Sequence, residues 1–527
     1  PEQEFGAMIE ATAGNYGAQI VKGTLTGGIS DTLSYRISGS SNQSDGTATN
    51  LGTSPGSEDD TGVNNRDRDA LRGQLLWEPS EDLTVRLIVD QDSIDEECCV
   101  AGALLKGPAS GVSDGLALMQ GFGTTDGDPW DRAIYMSYPA FNKVDNDGVS
   151  IQVDYELDFA SLTSITSQRN TSLRSNFDAD FSAAKLINEN LVNYDFDTFT
   201  QEIRLTSNGD SSTQWMVGAF YAEEDTVTNR TVRYGDDIKP YVNFLLQGAG
   251  TDLLGIAELV AAGALAQVIG SQGGDPSVVA GMSAEMIDAQ LTTAQNAGAP
   301  VLTSTQMESQ FFIPDSGSVG ENFDMNAKTL SLFANVDYQL AEDLTATVGF
   351  NYTEDEKTVV SDVTVVDFFS SLPLPASLAS VQFFPPFVNY PNAEEDGIFN
   401  SDSLTHTLRL AYDVSEDTKL YMAHSTGFKP TSVNLSVNAN NADIGRAADP
   451  EESDNFELGL KHQFGNGYLN IAYFDQSIDG FQSNTFVGNG FALVNAGEQN
   501  HTGFEFDAMV ALSESLVVNV SGIKVDA

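Results

Sequence analysis

The sequence predicts an all-β chain, an antiparallel sheet rolled into a transmembrane β-barrel. Three observations predict it. Apolar residues recur with a period of two, short polar turns alternate with long irregular links, and the composition suits strands that meet lipid on one face only. Hydrophobic residues make up 41% of the 527 residues, more than a disordered chain carries and fewer than a bundle of membrane helices needs. No apolar run is clean enough for a membrane-spanning helix; the nearest, Leu253 to Ile269, is interrupted by Glu258 and Gln267.

The period-two signal comes first because it sets the strands. Leu83, Val85, Leu87 and Val89 fall on one face, and Thr84, Arg86 and Asp90 on the other. Leu330, Leu332, Ala334, Val336 and Tyr338 alternate with Thr329, Ser331, Asn335 and Asp337. Leu344 to Thr353, Leu404 to Asp413 and Phe504 to Val510 follow the same rule. About seventeen such strands are expected.

The links between them come in two kinds. Short ones, such as Ala341-Glu342-Asp343, Ser415-Glu416-Asp417 and Gly465-Asn466-Gly467, carry residues suited to tight reversals. Long ones cover roughly residues 43–68, 93–148, 172–196, 226–323, 355–400, 430–452 and 478–499. An up-and-down outer-membrane barrel has this alternation, with turns on the periplasmic side and loops outside. Every backbone group in lipid must be paired, so such a sheet has to close. Aromatic residues near strand ends, among them Tyr16, Trp77, Tyr155, Tyr338, Tyr412, Tyr421 and Tyr468, are read either as interfacial girdles or as ordinary strand residues.

One segment departs from the pattern. Residues 247–300 form a helical insertion inside the longest link, with helices expected over Thr251–Gly270 and Pro276–Gly298. It is read as an external lid or as a packed insertion covering the barrel mouth.

The net charge of -52, from 76 acidic and 24 basic residues, excludes a nucleic-acid partner, because phosphate binding needs Lys and Arg. The acidic surface either keeps the protein soluble or collects cations. The four histidines, His406, His424, His462 and His501, show no metal-ligand spacing, and no Gly-rich phosphate loop precedes a helix. No metal site, cofactor or catalytic constellation is expected, so an enzyme is not.

Motifs in order along nearly the whole chain resemble the barrel of TonB-dependent receptors. Glu10 to Gly17 is similar to the family's first strand and turn, and Leu25 to Arg36 to the hairpin that follows. Asn65 to Pro79 resembles the next strand. Leu420 to Pro430 resembles a "Y-x-S-x-S-x-G-F-K" strand, Glu451 to Lys461 the strand after it, and Ala496 to Phe506 an "N-A-G-x-x-x-x-x-G-x-E" strand. The resemblance implies outer-membrane uptake of a scarce ligand, a ferric siderophore or similar iron chelate above all, energised by a TonB protein acting through a plug domain. It also implies a barrel of about twenty-two strands, of which about seventeen are present here, so the chain is expected to be a fragment without its plug and last strands. A passive porin and a secreted β-structured binding protein are the alternatives.

Site candidates follow from the links and from strand parity. The run Phe383, Phe384, Phe387 and Tyr390, with Trp130 in the loop Asp126 to Asp131, supplies the candidates for ligand contact. A loop tip folded onto its neighbours is the other reading of that run, and a solvated turn or a Ca²⁺-holding loop are the two readings of Asp126 to Asp131. Inward parity places Arg409, Glu457, Lys461 and Glu505 on the lumen wall, where the intact receptor would meet its plug. Cys98 and Cys99 are adjacent and follow an acidic run that begins at Asp90. Neighbouring Cα atoms lie about 3.8 Å apart, less than a usual disulfide span, so the pair is either a strained disulfide or two thiols not joined to each other. A Cys pair in this loop recurs among the receptors the chain resembles.

Overall fold

The computed structural model describes the chain except for residues 54–61, 99–104, 125–127, 129, 131, 210, 249, 376–377, 379–380, 385–386, 437–445 and 487–490. Its main body is a 17-stranded antiparallel sheet. In chain order the strands are β1 (Gly6–Ala13), β2 (Gln19–Ser30), β3 (Leu33–Ser44), β4 (Arg66–Ser80), β5 (Leu83–Glu96), β6 (Phe141–Glu156), β7 (Ala160–Asn176), β8 (Ile187–Ser207) and β9 (Thr213–Tyr234). There follow β10 (Gly317–Ala341), β11 (Leu344–Val366), β12 (Ile398–Ser415), β13 (Thr418–Lys429), β14 (Glu451–Phe464), β15 (Gly467–Asp479), β16 (Gln499–Ser513) and β17 (Leu516–Asp526). Each pairs with the next, as a meander requires. Among the described residues no ladder joins β1 to β17. The expected strand number, about seventeen, is found.

Links alternate strictly between the two ends. One end carries only short turns, at 31–32, 81–82, 157–159, 208–212, 342–343, 416–417, 465–466 and 514–515. The other carries 14–18 and then every long link: 45–65, 97–140, 177–186, 235–316, 367–397, 430–450 and 480–498.

The two faces differ in chemistry. On the outer face Leu332, Val348, Phe350, Leu404, Leu408, Leu410, Met422, Leu458 and Phe504 stand uncovered. An apolar band of this extent suits lipid and not water. The inner face is polar: Thr329 Oγ1 donates to Asp355 at 2.8 Å, Asn146 to Asp92 at 2.9 Å, and Asn470 to Asp507 at 2.9 Å.

Above the apolar band the polarity inverts. On β11 the outward positions change from Val348, Phe350 and Tyr352 to Glu354, Glu356 and Asp362, while the inward ones change from Asn351 and Thr353 to the buried Val359 and Val363. The strands therefore run further than the sequence pattern suggests, taking in residues 355–366, 226–234 and 317–323 that read as loop. Their inward apolar residues join a second core, here called the crown.

Helices fill that crown. α1 (Ser110–Met119) lies in link 97–140, where no helix was expected. The longest link carries α2 (Ile238–Gly248), α3 (Leu253–Ser271), α4 (Ala284–Asn296) and α5 (Ser304–Glu308). The helical region thus starts before residue 247 and continues past 300. The second expected helix is divided, because a 3₁₀ turn occupies Pro276–Gly281 and Ser283 caps α4 anew by accepting from Met286 N–H. Among the described residues α3 alone is long and apolar enough to cross a membrane. It lies in the crown instead, burying Leu253, Ile256, Ala257, Ala261 and Leu265 at helical spacing.

Candidate functional site

The four lumen candidates converge. β12, β13, β14 and β16 bring Arg409, Glu457, Lys461 and Glu505 to the inner face toward the short-turn end, around a residue that sequence reading had placed among the girdle candidates, Tyr421. The Tyr421 hydroxyl donates to Glu457 Oε1. Arg409 Cζ lies 5.7 Å and Lys461 Nζ 5.6 Å from the centre of its ring. Two cations therefore share one aromatic ring, an arrangement that the ring quadrupole favours. The ring crosses onto β14 opposite Gly459, where a Cβ would come within 2.3 Å of it. Only glycine admits that contact. Parity identifies Tyr421 as inward, since it alternates with the outward Leu420 and Met422; Tyr468 faces inward by the same rule, alternating with the outward Ile471 and Tyr473 positions. The result is a mixed-charge wall able to hold a polar partner from several strands at once.

A second inner group lies on β4 to β7. Arg169 donates to Asp90 at 2.7 Å and to Asn146 at 2.9 Å. At the long-link end Arg68 grips Glu96 with two nitrogens, at 2.5 and 3.0 Å. That hydrogen bonding holds the Glu96 carboxyl below the usual range. The acidic run from Asp90 is thus mostly strand, its carboxylates paired across the sheet. No cysteine is free among the described residues. Cys99 lies outside those residues, and the Cys98–Cys99 bond stays a proposal.

The aromatic run 383–390 sits in the crown. Phe384 and Tyr390 are buried, and Phe383 and Phe387 half-buried. Tyr234 packs edge-on or tilted against Phe312, Phe383 and Phe384, with centroids 5.5, 6.2 and 5.4 Å away. Arg446 Cζ stands 4.8 Å from the Phe387 ring centre and 4.3 Å from that of Tyr390. The folded-tip reading describes where Phe384 and Tyr390 lie. Trp130 is apart from them and 83% exposed, its backbone N–H held by Asp128 at 2.9 Å. Asp126, Gly127, Pro129 and Asp131 of its loop lie outside the described residues.

Buried acids tie the crown loops down. Asp367 accepts from the Tyr234 hydroxyl at 2.8 Å and from Phe369 N–H at 3.1 Å. Asp178 accepts from Ser137 N–H at 2.7 Å, and Asp180 from Ser182 N–H at 3.1 Å. Burial raises the pKa of all three.

No curated protein matches the chain. Among solved structures, the ferric yersiniabactin uptake receptor FyuA from Yersinia pestis superposes with a TM-score of 0.66 at 14% identity, covering 100% of this chain and 62% of that one. The siderophore receptor PiuA from Acinetobacter baumannii gives 0.60 at 14% identity, covering 100% and 64%. The ferric preacinetobactin receptor BauA, also from Acinetobacter baumannii, gives 0.56 at 13%, covering 100% and 62%. At such identities the likeness is one of fold, and the chain spans between 62% and 64% of the length of these structures. The family model described as TonB dependent receptor-like, beta-barrel matches residues 105–523. With most of its length under that match, the chain belongs to the TonB dependent receptor-like β-barrel family, and its place is the outer membrane.

Proposed function

We propose that this chain is the barrel wall of an outer-membrane receptor for TonB-energised uptake of a scarce ligand, a ferric siderophore or similar iron chelate. The observation that carries the reading is the division of labour along one set of strands. A lipid-facing band with a polar inner wall is continuous with a packed crown to which links 97–140, 177–186, 235–316, 367–397 and 430–450 contribute. Several solved receptors of this fold are named for iron chelates, which is the reason for choosing that ligand class.

Roles follow from position. Arg409, Glu457, Lys461 and Glu505, with Tyr421, form the wall against which a plug domain rests, and the TonB protein acts through that plug. Trp130 and the half-buried edges of Phe383 and Phe387 contact ligand. Phe384 and Tyr390 hold that surface from beneath. Cys98 and Cys99 form a disulfide that closes the end of β5. The protein carries out no catalysis.

Uptake of radioactive iron by iron-starved cells tests the reading. Cells lacking the gene should fail to take up at least one class of ferric chelate, hydroxamate or catecholate, and cells lacking TonB should fail equally. Uptake that persists without TonB would make the chain a passive pore. No change with any iron chelate would remove the ligand class.

A further inference from the structure

We propose that His406 and His424 form a bidentate site for a divalent transition metal of the imidazole-binding class (Cu²⁺, Zn²⁺ or Ni²⁺) on the outer wall of the barrel. The two residues are eighteen positions apart in sequence, on β12 and β13, with no ligand spacing between them. The sheet supplies the adjacency. Leu408 pairs with His424, which places His406 on the diagonal, within reach of a long side chain. The two rings stack with centroids 5.2 Å apart, and His406 Nε2 faces His424 Nδ1 at 3.1 Å. With metal–nitrogen bonds of about 2.0–2.1 Å, that separation corresponds to a ligand–metal–ligand angle of roughly 100°, between square-planar and tetrahedral demands.

The outer ring nitrogens are already engaged. His424 Nε2 meets Asp454 Oδ2 at 2.9 Å, so its N–H points at a carboxylate and its Nδ1 lone pair points at His406. This is the carboxylate–histidine support that metal-ligating imidazoles use. Thr426 Oγ1 lies 3.3 Å from His406 Nδ1 and accepts from the His406 backbone N–H at 3.0 Å. Without metal, Thr426 donates to His406 Nδ1, and His406 Nε2–H donates to His424 Nδ1. With metal, the His406 proton moves to Nδ1, where Thr426 Oγ1 accepts it, and both facing lone pairs bind the ion. No net proton is lost. Among the described residues no set of three or more ligating side chains converges, so water or a headgroup oxygen completes the coordination.

The location suits a cation. Below the pair lie Leu408, Leu410, Met422 and Leu458 of the apolar band. Above it, one step beyond the outward Leu404 and Tyr352, come Asp402 and Glu354, which pair across β12 and β11, and on β14 Glu452 follows Asp454. Carboxylates at that rim raise the local concentration of divalent ions.

Cu²⁺ titrated into the chain in non-chelating detergent, with excess Mg²⁺ to occupy carboxylates, reads the site by electron paramagnetic resonance. One equivalent should bind with two equatorial nitrogens. H406Q and H424Q should each weaken binding at least tenfold, and D454N, a positioning change, should weaken it less while keeping both nitrogens. H462Q and H501Q serve as controls and should leave the spectrum unchanged. A wild-type spectrum with oxygen ligands only overturns the proposal without any variant, as does a two-nitrogen spectrum that survives in H424Q.

Discussion

The wall and the crown are made by the same strands, yet they obey opposite rules. In the wall, Val348 and Phe350 face out and Asn351 and Thr353 face in. A few residues later Glu354 and Glu356 face out, and Val359 and Val363 face in. Nothing in the backbone changes at that point. The solvent does: lipid rewards apolar residues on the outside, and water rewards them on the inside. The crown is thus a soluble core built on the extended ends of a membrane sheet, and the two regions should respond differently to the same insult.

The largest expected difference is at Phe369. It has no solvent exposure and meets Phe311 and Phe312 with centroids 5.0 and 4.7 Å away. Phe369→Ala should cost about 3–5 kcal/mol, all of it in the crown. Limited proteolysis should show much faster cleavage in links 235–316 and 367–397, with the strand signal in circular dichroism unchanged. If the wall melts together with the crown, the two are a single cooperative unit.

Charge placed on the outer face sharpens the comparison. Leu410 and Val360 both point outward and are both about half exposed, at 42% and 48%. Leu410→Arg puts a guanidinium in lipid and should cost about 2–4 kcal/mol if it lies near the midplane. Val360→Arg stands in water and should cost about 0.5 kcal/mol or less. Refolding into micelles measures both, and equal costs would mean that the apolar band extends beyond Tyr352.

A smaller effect tests the inner wall. Gly459→Ala pushes a methyl into the Tyr421 ring and should cost about 1–3 kcal/mol through overpacking. Tyr421→Ala in the same chain should remove most of that cost. A double-mutant cycle with no coupling would separate the two residues.

The same inversion explains what could be read from sequence. Wall strands such as Leu344 to Thr353 announce themselves, because one face is apolar and the period is two. Residues 355–366 keep the period with the faces exchanged and more charge, so they read as loop. The inward direction of Arg409, Glu457, Lys461 and Glu505 follows from parity, since alternation is a local rule, whereas their convergence depends on register. Their organiser, Tyr421, was hidden because a tyrosine near a strand end suits a girdle equally well. The aromatic run 383–390 was visible as composition, but its burial depends on Tyr234 and Phe312, which reach it from far along the chain. The meeting of His406 and His424 depends on register, which no spacing in the sequence encodes.

The smallest expected effect is a difference in pH response. Burial raises the carboxyls of Asp178, Asp180 and Asp367 in the crown links. Each therefore holds its proton more tightly folded than unfolded. The stability this contributes is complete below the unfolded value of about 3.9 and declines as pH rises through the folded pKa. Glu96 runs the other way: its depressed carboxyl contributes above the unfolded value of about 4.3 and loses that contribution as pH falls through the folded pKa. From about pH 4 toward neutrality the three aspartates should make the crown links easier to open. Asp367→Asn keeps an oxygen to accept from the Tyr234 hydroxyl but cannot ionise, so it should flatten part of the slope. Hydrogen exchange of the amides around Phe369, corrected for intrinsic pH dependence, compares the two proteins. Identical slopes would mean that Asp367 keeps the same charge whether the crown is open or closed.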